Sequence, residues 1–417
     1  MSKLQITRFS RLQTINYLFS RSELINPQET EQPSNMRTKP EMKDSGFFKP
    51  LLKAMKELWN SEGFILDNPP FIREPIGTKR FMTTALIAMV PVLLGAIYAY
   101  GPGIVLMIAV SYITGGVIEV LWALIHRENI SEGFLVTGLI FPLTLPPAFP
   151  LHFVALGIAL TVIIGKIIFG GTGKNPFNPA LVGRCILFLG IPEIFRNSYI
   201  APGFSWIDFW HKPFQISTDT LTCATPLQTI KQSGFLELIN SINDTLPSGL
   251  LEMRSGCCGE VFPVFIIMGG IYLLLCGTAK PSIWLGITLG STVIMYTFLP
   301  ELLRLPLYSQ FLFTLNLLLM GGLPLGAVFM ASDPVTAPVT SGARFSSGMI
   351  IGVTATVIRM KGSFPEGIMF GILMANLWKP FLDSLFLKHH ASKLRKMDKI
   401  TVINQSYSFD PECGRPS

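Results

Sequence analysis

Three acidic side chains fall within or beside long apolar runs of this 417-residue chain: Glu119 in "TGGVIEVLW", Asp333 in "ASDPVTAP" and Asp383 in "ANLWKPFLD". A carboxylate in an apolar layer is costly and marks function by default. Its hard oxygens suit Na+ or a proton relay, and residue type alone does not choose between them. Each acid also has a neighbour that can open backbone carbonyls. Gly115 and Gly116 lie one turn before Glu119, Pro334 follows Asp333, and Pro380 precedes Asp383. The plainer alternatives are a helix cap for Asp333, an interfacial, solvated position for Asp383, and for Glu119 a side chain that snorkels to the inner face.

Two further stretches can bind rather than react. "GGTGKNPFNPALVGR", residues 170–184, places glycines, asparagines and prolines between two apolar runs. The glycines permit close backbone approach and Asn178 can cap the following helix. A helix start of this kind can face an anion, and it can equally be a tight re-entrant turn. It is not a phosphate-binding P-loop, because the Gly spacing and the Ser or Thr after Lys are missing. Gly115 and Gly116 expose bare helix backbone, which suits either a flat ring or a neighbouring helix.

These groups need a scaffold, and composition says which kind. The chain is 49% hydrophobic and 14% charged, against about 25% charged in a soluble domain. Ten apolar runs follow one another, at about 82–99, 103–125, 134–145, 151–169, 178–190, 261–279, 282–299, 309–331, 346–358 and 365–387, with the third, fifth and ninth short. The predicted fold is an all-α polytopic membrane protein of about ten transmembrane helices. Five regions result: a cytoplasmic N-terminal segment (1–80), a first five-helix set (81–190), an extracytoplasmic loop (191–260), a second five-helix set (261–387) and a cytoplasmic tail (388–417). Within the first region "FKPLLKAMKELW" has the character of an amphipathic surface helix. Lys79, Arg80, Lys166, Lys174, Arg184, Lys280 and Arg344 fall on one side with the basic tail, which puts both termini in the cytoplasm. Arg359 and Lys361 run against that trend. The net charge of +7 carries no nucleic-acid reading, and the six cysteines show no metal-ligand spacing.

The two helix sets look related. At one constant offset Gly138 matches Gly326, Phe141 matches Phe329, Pro146 matches Pro334 and Pro150 matches Pro338. Five spans per copy force the copies to run in opposite directions, as inverted repeats with broken or half helices. Such repeats place a site near the midplane, lined by unwound backbone.

Four stretches, in order, carry a family resemblance: "GGTGKNPFNPALVGR", "DTLTCATPL", "ASDPVTAPVTSG" and "FPEGIMFGILMANLWKPFLD". They resemble the NqrB subunit of the Na+-translocating NADH:quinone reductase and the related RnfD subunit of the Rnf ferredoxin:NAD+ complex, over about residues 48–390. The long N-terminal segment and Thr172 favour the quinone reductase. The resemblance implies FMN attached through a phosphoester to Thr225, within a motif that falls on Asp219, Thr222, Cys223, Ala224, Thr225 and Leu227. Cys223 stands where the family usually has Gly, so attachment efficiency is the point this departure touches. The resemblance further implies a non-covalent riboflavin, ubiquinone as substrate with Gly115 and Gly116 in the quinone region, and Na+ export across the cell inner membrane. It implies five partner subunits in a six-subunit complex, a flavin transferase for maturation, and NADH oxidised on another subunit. An Rnf-type subunit is one alternative. A flavin-free secondary transporter or channel is the other, suggested by the inverted repeat alone.

Overall fold

The computed structural model describes residues 78–126, 133–171, 173–204, 253–304, 306–362 and 367–407. The expected flavin-attachment residues Asp219, Thr222, Ala224 and Thr225 lie outside the described residues, as do the first 77. The first set consists of α1 (Thr78–Tyr100), α2 (Gly103–His126), α3 (Gly133–Leu143), α4 (Leu151–Gly165) and α5 (Pro179–Gly190), followed by a short α6 (Pro192–Asn197). The second consists of α7 (Pro263–Leu275), α8 (Pro281–Phe298), α9 (Leu307–Leu319), the short α10 (Leu323–Met330), α11 (Ser341–Lys361) and α12 (Ile368–Tyr407). Among the described residues α1, α2, α4 with its following turn, and α8 are long and apolar enough to cross a bilayer, and α9 with α10 forms a fifth such unit bent by 72°. The chain is an all-α, multi-pass membrane protein.

Local sequence explains where the helices stop. Pro179, Pro263 and Pro281 open α5, α7 and α8 at their first turns, where the missing N–H is not needed. The α3 helix has 11 residues, about 16 Å at 1.5 Å per residue, roughly half the apolar layer. Pro142 inside it cannot bond the Gly138 carbonyl, and the Ser111 hydroxyl of α2 donates to that carbonyl instead, at 2.8 Å. Tyr112 donates to Leu135 O at 2.7 Å. The half helix is thus stitched to α2 by two side chains, and Ser111 replaces the one backbone bond that Pro142 removes.

The inversion is visible in which ends meet. Phe81 and Met82 at the start of α1 and Leu273 at the end of α7 line one cavity. At the other ends, Gly95 of α1 lies against the Phe262 and Phe265 rings at the start of α7. The two first helices therefore pack side by side and run in opposite directions. In both sets the second helix packs on the fourth and the fourth on the fifth.

Three sequence-based expectations change. The ninth run is not short: α11 has 21 residues, its polar "SGARFSSG" start hiding the helix from a hydropathy reading. The last helix does not stop near Leu387 but continues to Tyr407. Arg184, Lys166 and Arg359 are not loop cations. Each is buried.

Candidate functional site

The cavity between the two sets is bounded by the half helix on one side and the broken helix on the other. Val136, Thr137 and Ile140 of α3 line it together with Val328, Phe329 and Ser332. Its polar edge comes from the turn between α4 and α5. In that turn Gly170, Gly171 and Gly173 have φ of 90°, 97° and 94°, left-handed values that Gly adopts without strain. Asn175 closes the turn on itself: its side-chain oxygen accepts from Gly173 N–H and its amide donates to Phe177 O. Asn178 then caps α5, accepting from Ala180 N–H at 3.1 Å, as its place before Pro179 predicts. Both asparagines line the cavity.

Lys166 sits where this turn leaves α4 and also lines the cavity. Its ammonium pairs with the Glu119 carboxylate of α2, and each side chain is only 6% exposed. Sequence alone marks Glu119 as an intramembrane acid. It does not reveal the partner, because 47 positions separate the two and Lys166 reads as the edge of a cytoplasmic loop. A signal exists all the same: Lys166 falls within the apolar run 151–169, and ions at that depth pair with each other.

The other two acids bond the segment after α10. Asp333 lines the cavity and accepts from Val335 N–H at 3.2 Å and the Thr336 hydroxyl at 3.1 Å. That is a turn cap, and it holds the segment after α10 in shape. Asp383 of α12 accepts from Val339 N–H at 3.0 Å, and Lys379 one turn earlier donates to Val335 O at 2.6 Å. Arg344 donates to Pro338 O at 2.9 Å. The loop from Asp333 to Val339 is therefore clamped from α11 and α12. The structure brings Asp333 and Asp383 to one loop, of which Asp333, Pro334 and Val335 line the cavity, and it brings Glu119 to Lys166, which lines the same cavity.

Gly115 and Gly116 separate in role. A Cβ on Gly115 would lie 2.8 Å from the Phe134 ring and 3.0 Å from Ile158, so this glycine makes room for α3 and α4. At Gly116 the nearest atom is Phe134 at an ordinary 3.4 Å.

A second polar cluster lies at the opposite ends of the helices. Arg184, in the middle of α5, donates to the Cys257 sulfur at 3.2 Å. Arg254 donates to Leu319 O and to Asn316, and Arg359 donates to Leu317 O and Met320 O. Two guanidinium groups thus bond the last carbonyls of α9 just before Gly321, whose φ is 63°. These arginines satisfy the carbonyls that the break leaves open. The anomaly of Arg359 in the loop charge count has this cause.

The chain matches the model of the NQR2, RnfD, RnfE family over residues 65–392. It is 35% identical over 324 residues to the B subunit of the Na(+)-translocating NADH-quinone reductase of Azotobacter vinelandii, covering 76% of this chain and 75% of that one. The protein of the same name from Pseudomonas paraeruginosa is 38% identical over 280 residues, and that from Yersinia pestis 35% over 285. In both cases the match covers 66% of this chain and 64% of the relative, a little under two thirds of its length. A match over most of the chain, with relatives above 30% identity, places this protein: it belongs to the NQR2, RnfD, RnfE family.

Proposed function

We propose that this chain is the NqrB-type membrane subunit of a Na+-translocating NADH:quinone reductase. In this reading it carries FMN on Thr225, delivers electrons to ubiquinone and couples that transfer to Na+ export. Its place is the cell inner membrane, with both termini in the cytoplasm and five further subunits around it. The observation that carries the reading is the buried Glu119–Lys166 pair beside a cavity between inverted half helices. A fixed charge pair there has little value to a purely structural bundle, because apolar side chains would pack as well or better. A protein that moves cations needs such a carboxylate. The names of the relatives support Na+ as cargo and a quinone as acceptor.

Each expected group can be tested against the residues present. For FMN the donor set is a threonine hydroxyl at 225, which can form a phosphoester, beside the hydroxyl of Thr222 and the carboxylate of Asp219. For a non-covalent riboflavin the cavity fits in kind: apolar walls from Ile140, Leu273 and Phe329 can sandwich a flat ring, and the Asn175, Asn178 and Thr278 edge can meet its polar rim. The flavins, when bound, supply electron transfer. The chain's own residues hold the cavity open, exclude water from it and fix the charges at its walls. Gly116, half-buried beside the Phe134 ring, is where ubiquinone would approach α2, whereas Gly115 serves that region by letting α3 and α4 close on α2. Asp333 and Asp383 join the cation path through the loop they cap, and Glu119 through its carboxylate.

Thr225→Ala tests the attachment. The variant is expected to assemble with its partners and to lose in-gel flavin fluorescence from this polypeptide after denaturation. Fluorescence at full strength in the variant would reject the attachment. Reduction of ubiquinone, rather than ferredoxin-linked activity, by the purified complex separates this reading from an Rnf-type subunit.

A further inference from the structure

We propose that Lys166 is a tethered counter-ion: its ammonium holds the cation position at Glu119, yields it to Na+, and so sets the Na+ requirement of turnover. This rests on the reading of Glu119 as a cation-pathway residue and adds a second, positioning residue to it.

The geometry points there. Glu119 lies on α2 and Lys166 on the turn after α4, and the pair is nine-tenths buried. The backbone of Lys166 is fixed. Its N–H bonds Val162 O, and its carbonyl accepts from both Phe169 and Gly171 N–H. The side chain beyond it is a flexible stem ending in a compact point charge. That stem borders the pair on one side and the cavity on the other. Asp333 lines the same cavity, so the space a displaced ammonium would enter already carries a carboxylate.

The charge argument gives the arrangement its use. A buried carboxylate that releases its cargo cation must take a proton or another cation. An ammonium carries the same single charge as Na+ and is already present. When Na+ leaves, Lys166 returns, and Glu119 never needs a proton. When Na+ arrives, the ammonium moves into the cavity and the net charge around Glu119 is unchanged. Asp333 and Asp383 are held differently, by backbone N–H and hydroxyl donors.

The test is steady-state quinone reduction by the purified complete complex, titrated with NaCl at constant ionic strength, with polypeptide and flavin content checked for each variant. Glu119 is open to Na+ only in the minor state with Lys166 turned away, so Lys166→Gln is expected to lower the half-saturating Na+ concentration by about tenfold. Lys166→Arg is expected to raise it, because a guanidinium holds a carboxylate with two parallel bonds. Glu119→Gln is expected to raise it in either background. A merely structural lysine would not give opposite shifts with Gln and Arg. If Lys166→Gln leaves the Na+ requirement unchanged or raises it while Glu119→Gln raises it, the counter-ion role is overturned and the reading of Glu119 stands. If Glu119→Gln itself leaves the requirement unchanged, that reading fails and the counter-ion role with it. Should the Gln variant not assemble, Lys166→Arg decides alone, and a requirement equal to or below the parental one overturns the role.

Discussion

The second and fourth helices of each repeat pack on one another in both halves, but with different materials at the interface. In the second half α8 and α11 meet through glycines spaced four apart on both helices, Gly286 and Gly290 against Gly348 and Gly352. A Cβ on Gly286 would lie 2.3 Å from Phe345 O, and one on Gly348 2.3 Å from Ile283 O. Backbone rests on backbone, the close crossing that small residues permit in a membrane. In the first half α2 and α4 meet through side chains. Gly115 faces the Phe134 ring and Ile158, and nearer the cavity the contact ends in the Glu119–Lys166 pair. At the four glycines of the α8–α11 interface the nearest atoms are backbone, which cannot give way by changing rotamer. The other is cushioned by groups that can rotate and contains a charge. The same helix pairing has been built on backbone in one half and on side chains in the other.

The largest effect expected from this difference is at Gly348. Gly348→Leu would drive a side chain into the α8 backbone, where neither partner can yield by changing rotamer. A loss of about 3 kcal/mol or more is expected, read as failure of the chain to accumulate in the purified complex. Gly115→Leu would meet a Phe134 ring and the end of Ile158, which can shift. It is expected to cost about 1–2 kcal/mol, to lower the thermal midpoint of the complex and to leave it assembled. Equal loss at the two positions would show that both interfaces are rigid and would break the comparison.

How legible this was in the sequence varies by region. The inverted repeat could be read because Gly138, Phe141, Pro146 and Pro150 recur at one offset as Gly326, Phe329, Pro334 and Pro338, and glycines and prolines act on the chain locally. The Asn178 cap could be read for the same reason. The length of α11 could not, since its Ser, Gly and Arg residues lower hydropathy although four of them (Ser347, Gly348, Gly352 and Arg359) are buried on its packed face. Pairing across the fold was also hidden. Neither Lys166 with Glu119 nor Arg359 with the end of α9 follows from spacing, because both depend on how helices distant in sequence are stacked. The glycine pair at 115 and 116 reads as one feature, and only three-dimensional packing gives the two positions different neighbours.

The smallest expected effect sharpens the comparison within the more yielding half, at the start of α5. Asn178 caps that helix with one bond to Ala180 N–H, and Pro179 after it is already braced, since a Cβ on Gly165 would lie 2.8 Å from the Pro179 Cα. The helix start is held by packing as well as by the cap. Asn178→Ala should therefore cost only about 1 kcal/mol, a fall of about 2 °C in the thermal midpoint of the complex. Asp is as good a cap as Asn and adds a favourable charge at a helix N-terminus, so Asn178→Asp should restore the midpoint. A residue that only caps should show this pattern and keep the parental content of loosely bound flavin in both variants. If both variants lose that flavin while Asn178→Asp keeps the parental midpoint, the side-chain amide meets the ligand directly. Asn178 would then belong to the cavity's polar edge as a binding residue.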